Sequence, residues 1–219
     1  MDASIIQTIA VYALPVLFAI TLHEAAHGYV ARRFGDDTAY LMGRVTLNPA
    51  KHIDPMGTIV VPLLILLSSA AVGAGPMLFG WAKPVPVNFG RLNRPKKDIR
   101  YVAFAGPAAN FIMAFMWAAF LKLLLMVQFT EPFFFEMAKA GIVVNLVLAA
   151  LNLLPILPLD GGRILFSFLP SSAAYRFGQT ERYGMIILIA LLMLNVLPVF
   201  IQPIVSFTMD ILSLIFNFY

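Results

Sequence analysis

Residues 21–27 read Thr21-Leu22-His23-Glu24-Ala25-Ala26-His27 and end a long apolar run. Two histidines four positions apart lie on one face of an α-helix, so His23 and His27 can direct their imidazoles at one metal ion. Glu24 can then reach a water molecule on that metal and act as a general base. Such a pair also occurs by chance, with both rings satisfied by local hydrogen bonds. A metal site is favoured because the chain has three histidines and two of them stand here, beside apolar sequence.

The composition of the chain indicates a membrane protein. Hydrophobic residues make up 61% of the 219 residues and charged residues 12%, whereas soluble domains average about 45–50% and about 25%. We therefore expect an all-α polytopic protein embedded in the lipid bilayer, with residues 1–219 forming a single domain. The net charge of +4 lies on the polar segments, so it reports membrane topology and not nucleic-acid binding. Cysteine is absent, which leaves His, Asp and Glu as possible metal ligands.

The apolar runs predict the order of the membrane segments. Residues 4–31, 101–129 and 138–157 are long enough to cross a bilayer and form a predicted core of three transmembrane helices. Residues 183–218 predict a C-terminal helical hairpin. Residues 57–79 are apolar but interrupted by proline and glycine, so they either cross the membrane or dip into it as a re-entrant segment.

A catalytic zinc site usually has three protein ligands and one open position for water. Without cysteine, the third ligand must be His52 or a carboxylate. Asp160 stands out because it follows a broken helix end, in Asn152-Leu153-Leu154-Pro155-Ile156-Leu157-Pro158-Leu159-Asp160-Gly161-Gly162. Irregular backbone at membrane depth is tolerated only where it is buried in protein or lines a cavity. An aspartate that caps a tight turn explains the residue equally well at this point.

Taken together, these stretches resemble the site-2 protease family of intramembrane zinc metalloproteases. The resemblance rests on His23 to His27 and on Asn152 to Gly162, and it extends to Gly106-Pro107 with Asn110 and to residues 48–57. It covers most of the chain and looks like the small form, since no PDZ insert or nucleotide-sensing extension is recognisable. A further helix, which often precedes the zinc-binding helix in this family, has no counterpart in the roughly twenty residues before His23.

The resemblance implies an intramembrane zinc metalloendopeptidase. Its partner would be a membrane-protein substrate, cut within or near a transmembrane segment in regulated intramembrane proteolysis. The implied ligands of Zn²⁺ are His23, His27 and Asp160. The implied catalytic residues are Glu24, as the base, and Asn152, as a polar group near the scissile carbonyl.

The stretch Pro84-Val85-Pro86-Val87 predicts an extended edge strand or loop, because prolines flank a valine. A transmembrane substrate must unwind before its peptide bond can be reached. We therefore expect Val85 and Val87 to bind the substrate by β-augmentation. His52 lies in a turn-rich loop with Asp54 two residues on, and we expect it to be structural.

The alternative function is a zinc-binding membrane transporter or sensor without protease activity. Transport needs an inlet and an outlet site, yet no further histidine or acidic cluster lies within the apolar runs. Glu24 would be dispensable for transport and essential for proteolysis, so this residue distinguishes the two functions.

The topology follows from the need to bring Asp160 to the two histidines. If residues 57–79 re-enter, both motifs end at the same face, and thirteen of the fifteen Lys and Arg, all but Lys122 and Lys139, lie there. By the positive-inside rule that face is cytoplasmic. We expect a multi-pass protein of a prokaryotic cell membrane, with an extracytoplasmic N-terminus and the active site toward the cytoplasm.

Overall fold

The computed structural model of the protein describes residues 3–61, 64 and 82–218. Within these ranges the chain is helical and contains no strand. Short 3-10 turns lie at Pro49–Lys51 and Phe89–Arg91, and one π-helical segment lies at Pro55–Val60. The α-helices are α1 (Ala3–Arg33), α2 (Thr38–Leu41), α3 (Pro95–Met126), α4 (Pro132–Asn152), α5 (Asp160–Phe168), α6 (Ser171–Gly178), α7 (Glu181–Met193) and α8 (Leu197–Phe216).

Four of these helices, α1 from Ile6 onward, α3, α4 and α8, are long and apolar enough to cross a membrane. The expected all-α polytopic fold is therefore confirmed. The helix bounds differ from the apolar runs by up to six residues, and proline accounts for the largest differences, including the start of α4 at Pro132 in place of residue 138. Helix α3 begins at Pro95, whose fixed φ suits the first helical position. Helix α4 ends at Asn152, before Pro155, because the residue preceding a proline avoids the helical region.

The core consists of α1, α3 and α4, which pack against one another, while α8 lies against α4 and α3. Toward the N-terminal end of α1, a large apolar cluster joins Val11, Trp117, Leu146 and Leu212 from these four helices. Gly141 lets α4 approach α3 closely, because a Cβ there would overlap the ring of Trp117. A second apolar cluster, around Ala31 and Val102, packs the opposite end.

The two C-terminal helices differ in length. Helix α7 has 13 residues, about 20 Å of helix, which is short for a hydrocarbon core of about 30 Å. Helix α8 has 20 residues and reaches spanning length. Its C-terminal end lies beside the end of α3, where Lys122 Nζ donates to the carbonyl of Asn217 at 3.0 Å. The C-terminal segment is thus a short helix followed by one spanning helix that runs antiparallel to α4.

The expected re-entrant segment, residues 57–79, lies mostly outside the described residues, so its path stays a prediction. The described chain leaves the loop around His52 through the segment Pro55–Val60. It resumes beside the same loop, where Lys83 N–H donates to the carbonyl of His52 at 2.9 Å. Residues 82–88 contain no helix, as expected for the extended stretch.

Candidate metal centre and active site

Three predicted side chains from two distant parts of the sequence meet at one point. His23 Nε2 lies 3.2 Å from Asp160 Oδ2, and His27 Nε2 lies 3.3 Å from Asp160 Oδ1. The two Nε2 atoms are 3.1 Å apart. Ligands at about 2.0–2.1 Å on a tetrahedral zinc ion are separated by about 3.3 Å, which these three distances match. Asp160 Oδ2 is buried and accepts no hydrogen bond, as suits an atom directed at a cation.

Local structure explains how Asp160 reaches α1. Asp160 is the first residue of α5, directly after the proline-broken end of α4. The two following glycines let the start of α5 lie against that broken stretch. A Cβ on Gly161 would overlap the carbonyl of Leu153, and one on Gly162 would lie 2.5 Å from the carbonyl carbon of Ile156. The N-cap residue of α5 is Leu159 and no side-chain capping hydrogen bond is present there, so the structure gives no support to the turn-capping explanation of Asp160.

Gly106 on α3 forms the floor of this centre. A Cβ at Gly106 would lie 2.5 Å from His27 Nε2 and 2.6 Å from His23 Nε2. The nearest neighbours of Gly106 are thus the two imidazoles themselves. Only hydrogen at this position leaves room for both nitrogens and an ion.

The second nitrogen of each imidazole is held by α3. His27 Nδ1–H donates to the carbonyl of Val102 at 2.7 Å, and His23 Nδ1 lies 2.7 Å from Asn110 Oδ1. With hydrogen on Nδ1, each ring presents the lone pair of Nε2 to the centre, the usual arrangement of metal-binding histidines. Asn110 therefore links α3 to α1 by hydrogen bonds. Val102 accepts this hydrogen bond through its backbone carbonyl, so the side-chain pattern of the sequence could not have predicted the contact.

Glu24 contacts the predicted extended segment, residues 84–87. Its Oε2 accepts a hydrogen bond from Val85 N–H at 2.7 Å. The buried side chain of Arg44, which no sequence motif marks, holds this segment in place. Its Nη2 donates to the carbonyls of Lys83 at 2.9 Å and Pro84 at 3.3 Å. The sequence alone does not show whether an arginine is buried and binds backbone carbonyls or is exposed to solvent.

The remaining predicted residues lie around this centre. The side chain of Val85 is buried, and that of Val87 is half-buried against the cluster around Ala31. Asn152 Nδ2 donates to the carbonyl of Leu148 at 3.0 Å, so its predicted contact with substrate stays a prediction. His52 Nε2 donates to the carbonyl of Thr46 at 3.0 Å. Among the residues that the structure describes, the side chains that lie close enough together to bind one metal ion are His23, His27 and Asp160. His52 is not one of them.

A multi-pass helical protein with a His-Glu-x-x-His helix that meets a distant aspartate belongs to the class of membrane zinc metalloproteases. Residues 134–195 match the family model described as "Peptidase family M50". YwhC of Bacillus subtilis is 40% identical over 81% of this chain and 78% of its own length. Rip2 of Mycolicibacterium smegmatis is 31% identical over 80% of this chain and 64% of its own length. The names of both relatives assign them a zinc metalloprotease activity and state no substrate.

The chain belongs to peptidase family M50, the family of the site-2 proteases. Its cofactor is zinc. No solved structure matches the chain significantly.

Proposed function

We propose that the protein is an intramembrane zinc metalloendopeptidase that cleaves peptide bonds within or near the transmembrane segments of other membrane proteins. The observation that supports this most is the meeting of His23, His27 and Asp160 next to Glu24, within helices that can span a bilayer. Arg32 and Arg33, the basic residues that end α1, would lie at the membrane surface. His23 lies nine residues before Arg32, about 14 Å along the helix, which supports a metal centre within the membrane. A peptide bond cut there belongs to a membrane-embedded segment.

The ligands in this proposal are His23, His27 and Asp160. When bound, zinc supplies Lewis-acid activation of a water molecule, whose pKa falls toward about 7, and of the scissile carbonyl. Glu24 takes a proton from the attacking water and returns it to the leaving amine. Val85 N–H occupies Oε2 of Glu24, so Oε1 is the oxygen that carries the proton. Asn152 keeps one amide hydrogen beyond its bond to Leu148, and this hydrogen would donate to the carbonyl oxygen of the substrate.

The extended segment would hold the unwound substrate as a neighbouring strand. Alternate residues of an extended chain direct their N–H and C=O groups to the same side. In an extended conformation Val85 and Val87 would share the side on which Val85 N–H meets Glu24, whereas Pro84 and Pro86 have no N–H to offer on the other side. Within the described residues, neither the Val85 carbonyl nor the Val87 N–H has a hydrogen-bond partner. A substrate strand paired with them would pass beside the catalytic base.

Cleavage by the purified protein tests this function. We expect the full chain, reconstituted in liposomes with a single-pass test substrate, to cut that substrate inside its transmembrane segment. A chelator should stop cleavage, and added zinc should restore it. A substrate whose transmembrane segment is replaced by a stable polyleucine helix should be cut more slowly, because it resists unwinding. Zinc flux into the vesicles without any cleavage would instead support the alternative of a transporter.

We also propose that the active site faces the cytoplasm. Asn93 N–H donates to the carbonyl of Phe34 at 2.8 Å, directly after α1, so residue 93 lies at the same end of the bundle as the metal centre. Lys122 and Lys139, the two basic residues predicted at the other face, belong to α3 near its end and to α4 near its start. The positive-inside rule then assigns the metal-site end to the cytoplasm.

Single cysteines test this topology, since the chain has none of its own. The positions are exposed: Asp37, Asn93, Thr130 and Ser172. We expect cysteine at 37, 93 and 172 to react with a membrane-impermeant thiol reagent only after the membrane is opened. Cysteine at 130 should react in intact cells. Labelling of position 93 from outside would contradict both the re-entrant path and the cytoplasmic site.

A further inference from the structure

A chain of side-chain hydrogen bonds runs from the backbone of α4 to the imidazole of His23. Asn145 Nδ2 donates to the carbonyl of Gly141 on its own helix, at 2.8 Å. Asn110 Nδ2 donates to Asn145 Oδ1 at 2.9 Å and to the carbonyl of Ala19 at 3.1 Å. Asn110 Oδ1 then lies 2.7 Å from His23 Nδ1. One polar relay thus links α4, α3 and α1 and ends at the metal centre.

Backbone carbonyls set the direction of every bond in this relay. A carbonyl only accepts, so Asn145 must turn its NH₂ group to Gly141 and its oxygen to Asn110. Asn110 must likewise turn its NH₂ group toward its two acceptors and its oxygen toward His23. His23 Nδ1 therefore carries the hydrogen, and its Nε2 lone pair faces Asp160.

Burial makes this direction hard to reverse. Both asparagines are 0% exposed, so water cannot replace a lost partner. Turning either amide around would place two donors or two acceptors against each other in a low-dielectric interior, where an unpaired polar group is costly. The surroundings thus hold both amides in one orientation, and this orientation fixes which ring nitrogen of His23 carries the hydrogen.

We propose that Asn145 is a positioning residue of the zinc site. It is linked to His23 through Asn110, and in this way it holds the ring in the tautomer that zinc binding needs. This inference rests on the proposed ligand role of His23. Without Asn145, only the carbonyl of Ala19 keeps the NH₂ group of Asn110 turned away from Nδ1, so reversal of the amide becomes less costly. His23 then carries its hydrogen on Nε2, where it opposes a metal ion.

The test is the zinc affinity of the purified full chain, measured by competition with a chelator. Asn145→Leu has a similar shape but offers no acceptor, and we expect its zinc dissociation constant to rise about 10-fold, the lower end of the effect of lost outer partners. Asn145→Ser should show the same loss, because a serine hydroxyl bonds its own helix and is too short to reach Asn110. Serine also keeps a polar group at this position, so it carries the test if the leucine variant does not fold. Asn145→Asp is expected to be neutral at this buried position, because burial disfavours a charge. Its O–H can then donate to the carbonyl of Gly141 while the other oxygen accepts from Asn110, so this variant should bind zinc nearly as the unmodified protein does.

The matched control is Thr208→Val on α8. It also removes a side-chain bond to a carbonyl four residues earlier, from Thr208 Oγ1 to Ile204 at 2.8 Å, outside the relay. Its zinc affinity should not change. The visible absorption of the cobalt-substituted protein should shift in the Leu and Ser variants only, because the ligand field changes with the orientation of His23.

Unchanged zinc affinity and an unchanged cobalt spectrum in a folded Leu or Ser variant would overturn the relay. An equal loss in the Asp variant or in Thr208→Val would overturn it too, since it would show general destabilisation. These measurements do not depend on proteolysis. If the unmodified protein binds zinc but cuts no membrane substrate, the proposed function fails and the relay result stands.

Discussion

Glu24→Gln is expected to abolish peptide-bond cleavage while leaving zinc bound. Gln has the shape of Glu, and its amide oxygen can still accept the hydrogen bond from Val85 N–H, so the extended segment should stay in place. It cannot take a proton from the attacking water. We expect the cleavage rate to fall by about 10³–10⁴-fold, at the upper end of the contribution of general acid–base catalysis.

Single-turnover cleavage, read beside the zinc content of the same sample, checks this expectation. Glu136→Gln is the matched control. Glu136 is exposed and pairs with Lys139 at 2.9 Å, near the start of α4 and away from the metal centre. It should keep full activity and full zinc. Cleavage retained in Glu24→Gln would contradict the proposed mechanism, and it would also favour a role for the metal centre other than proteolysis.

Gly106→Ala is expected to remove zinc from the protein. The added methyl group would lie 2.5 Å from His27 Nε2 and 2.6 Å from His23 Nε2. Relief requires either that the imidazoles turn away or that α3 moves away from α1, and both changes separate the nitrogens from Asp160. The added methyl group collides with the ligand atoms themselves. We therefore expect the zinc dissociation constant to rise by more than about 100-fold, which exceeds the usual effect of losing a residue that hydrogen-bonds to a ligand.

Metal analysis of the purified variant measures this effect. Ala substitutions of His23, His27 and Asp160 should lose zinc in the same way, because each removes a proposed ligand. Gly178→Ala is the control, since a Cβ there would meet Phe166 at an ordinary 3.5 Å. It should keep one zinc per chain. A Gly106→Ala protein with full zinc would show that the ion lies elsewhere.

The sequence predicted the existence of the core helices better than it predicted where they begin and end. Length and hydropathy were sufficient for α1, α3 and α4, because a segment in lipid must be apolar and must satisfy its backbone internally. The bounds were less accurate because apolar runs record contact with lipid, whereas proline decides where α3 begins and α4 ends. The C-terminal pair was predicted as a hairpin, but hydropathy does not show that α7 has only 13 residues.

The two proposed histidine ligands could be predicted from local spacing, whereas Asp160 was assigned as a ligand only through the family resemblance. His23 and His27 lie four positions apart, and Asp160 follows a helix end broken by two prolines. The contacts that orient these ligands could not be predicted from the sequence. An asparagine such as Asn145 within an apolar helix has the same appearance whether it binds its own backbone or a relay across three helices.

The sequence by itself determined the membrane class, the three core helices and the candidate histidine pair, because hydrophobicity and short-range spacing are properties of the chain alone. Its resemblance to a known family added Asp160 as the third candidate ligand. Only the tertiary structure decided that Asp160 stands 3.2 and 3.3 Å from the two imidazoles, that Gly106 leaves space for them, and that Val85 N–H meets Glu24. The physical reason is that each of these facts depends on how closely separate helices approach one another. That approach is set by the summed packing of all the helices and is not a property of any single residue or motif.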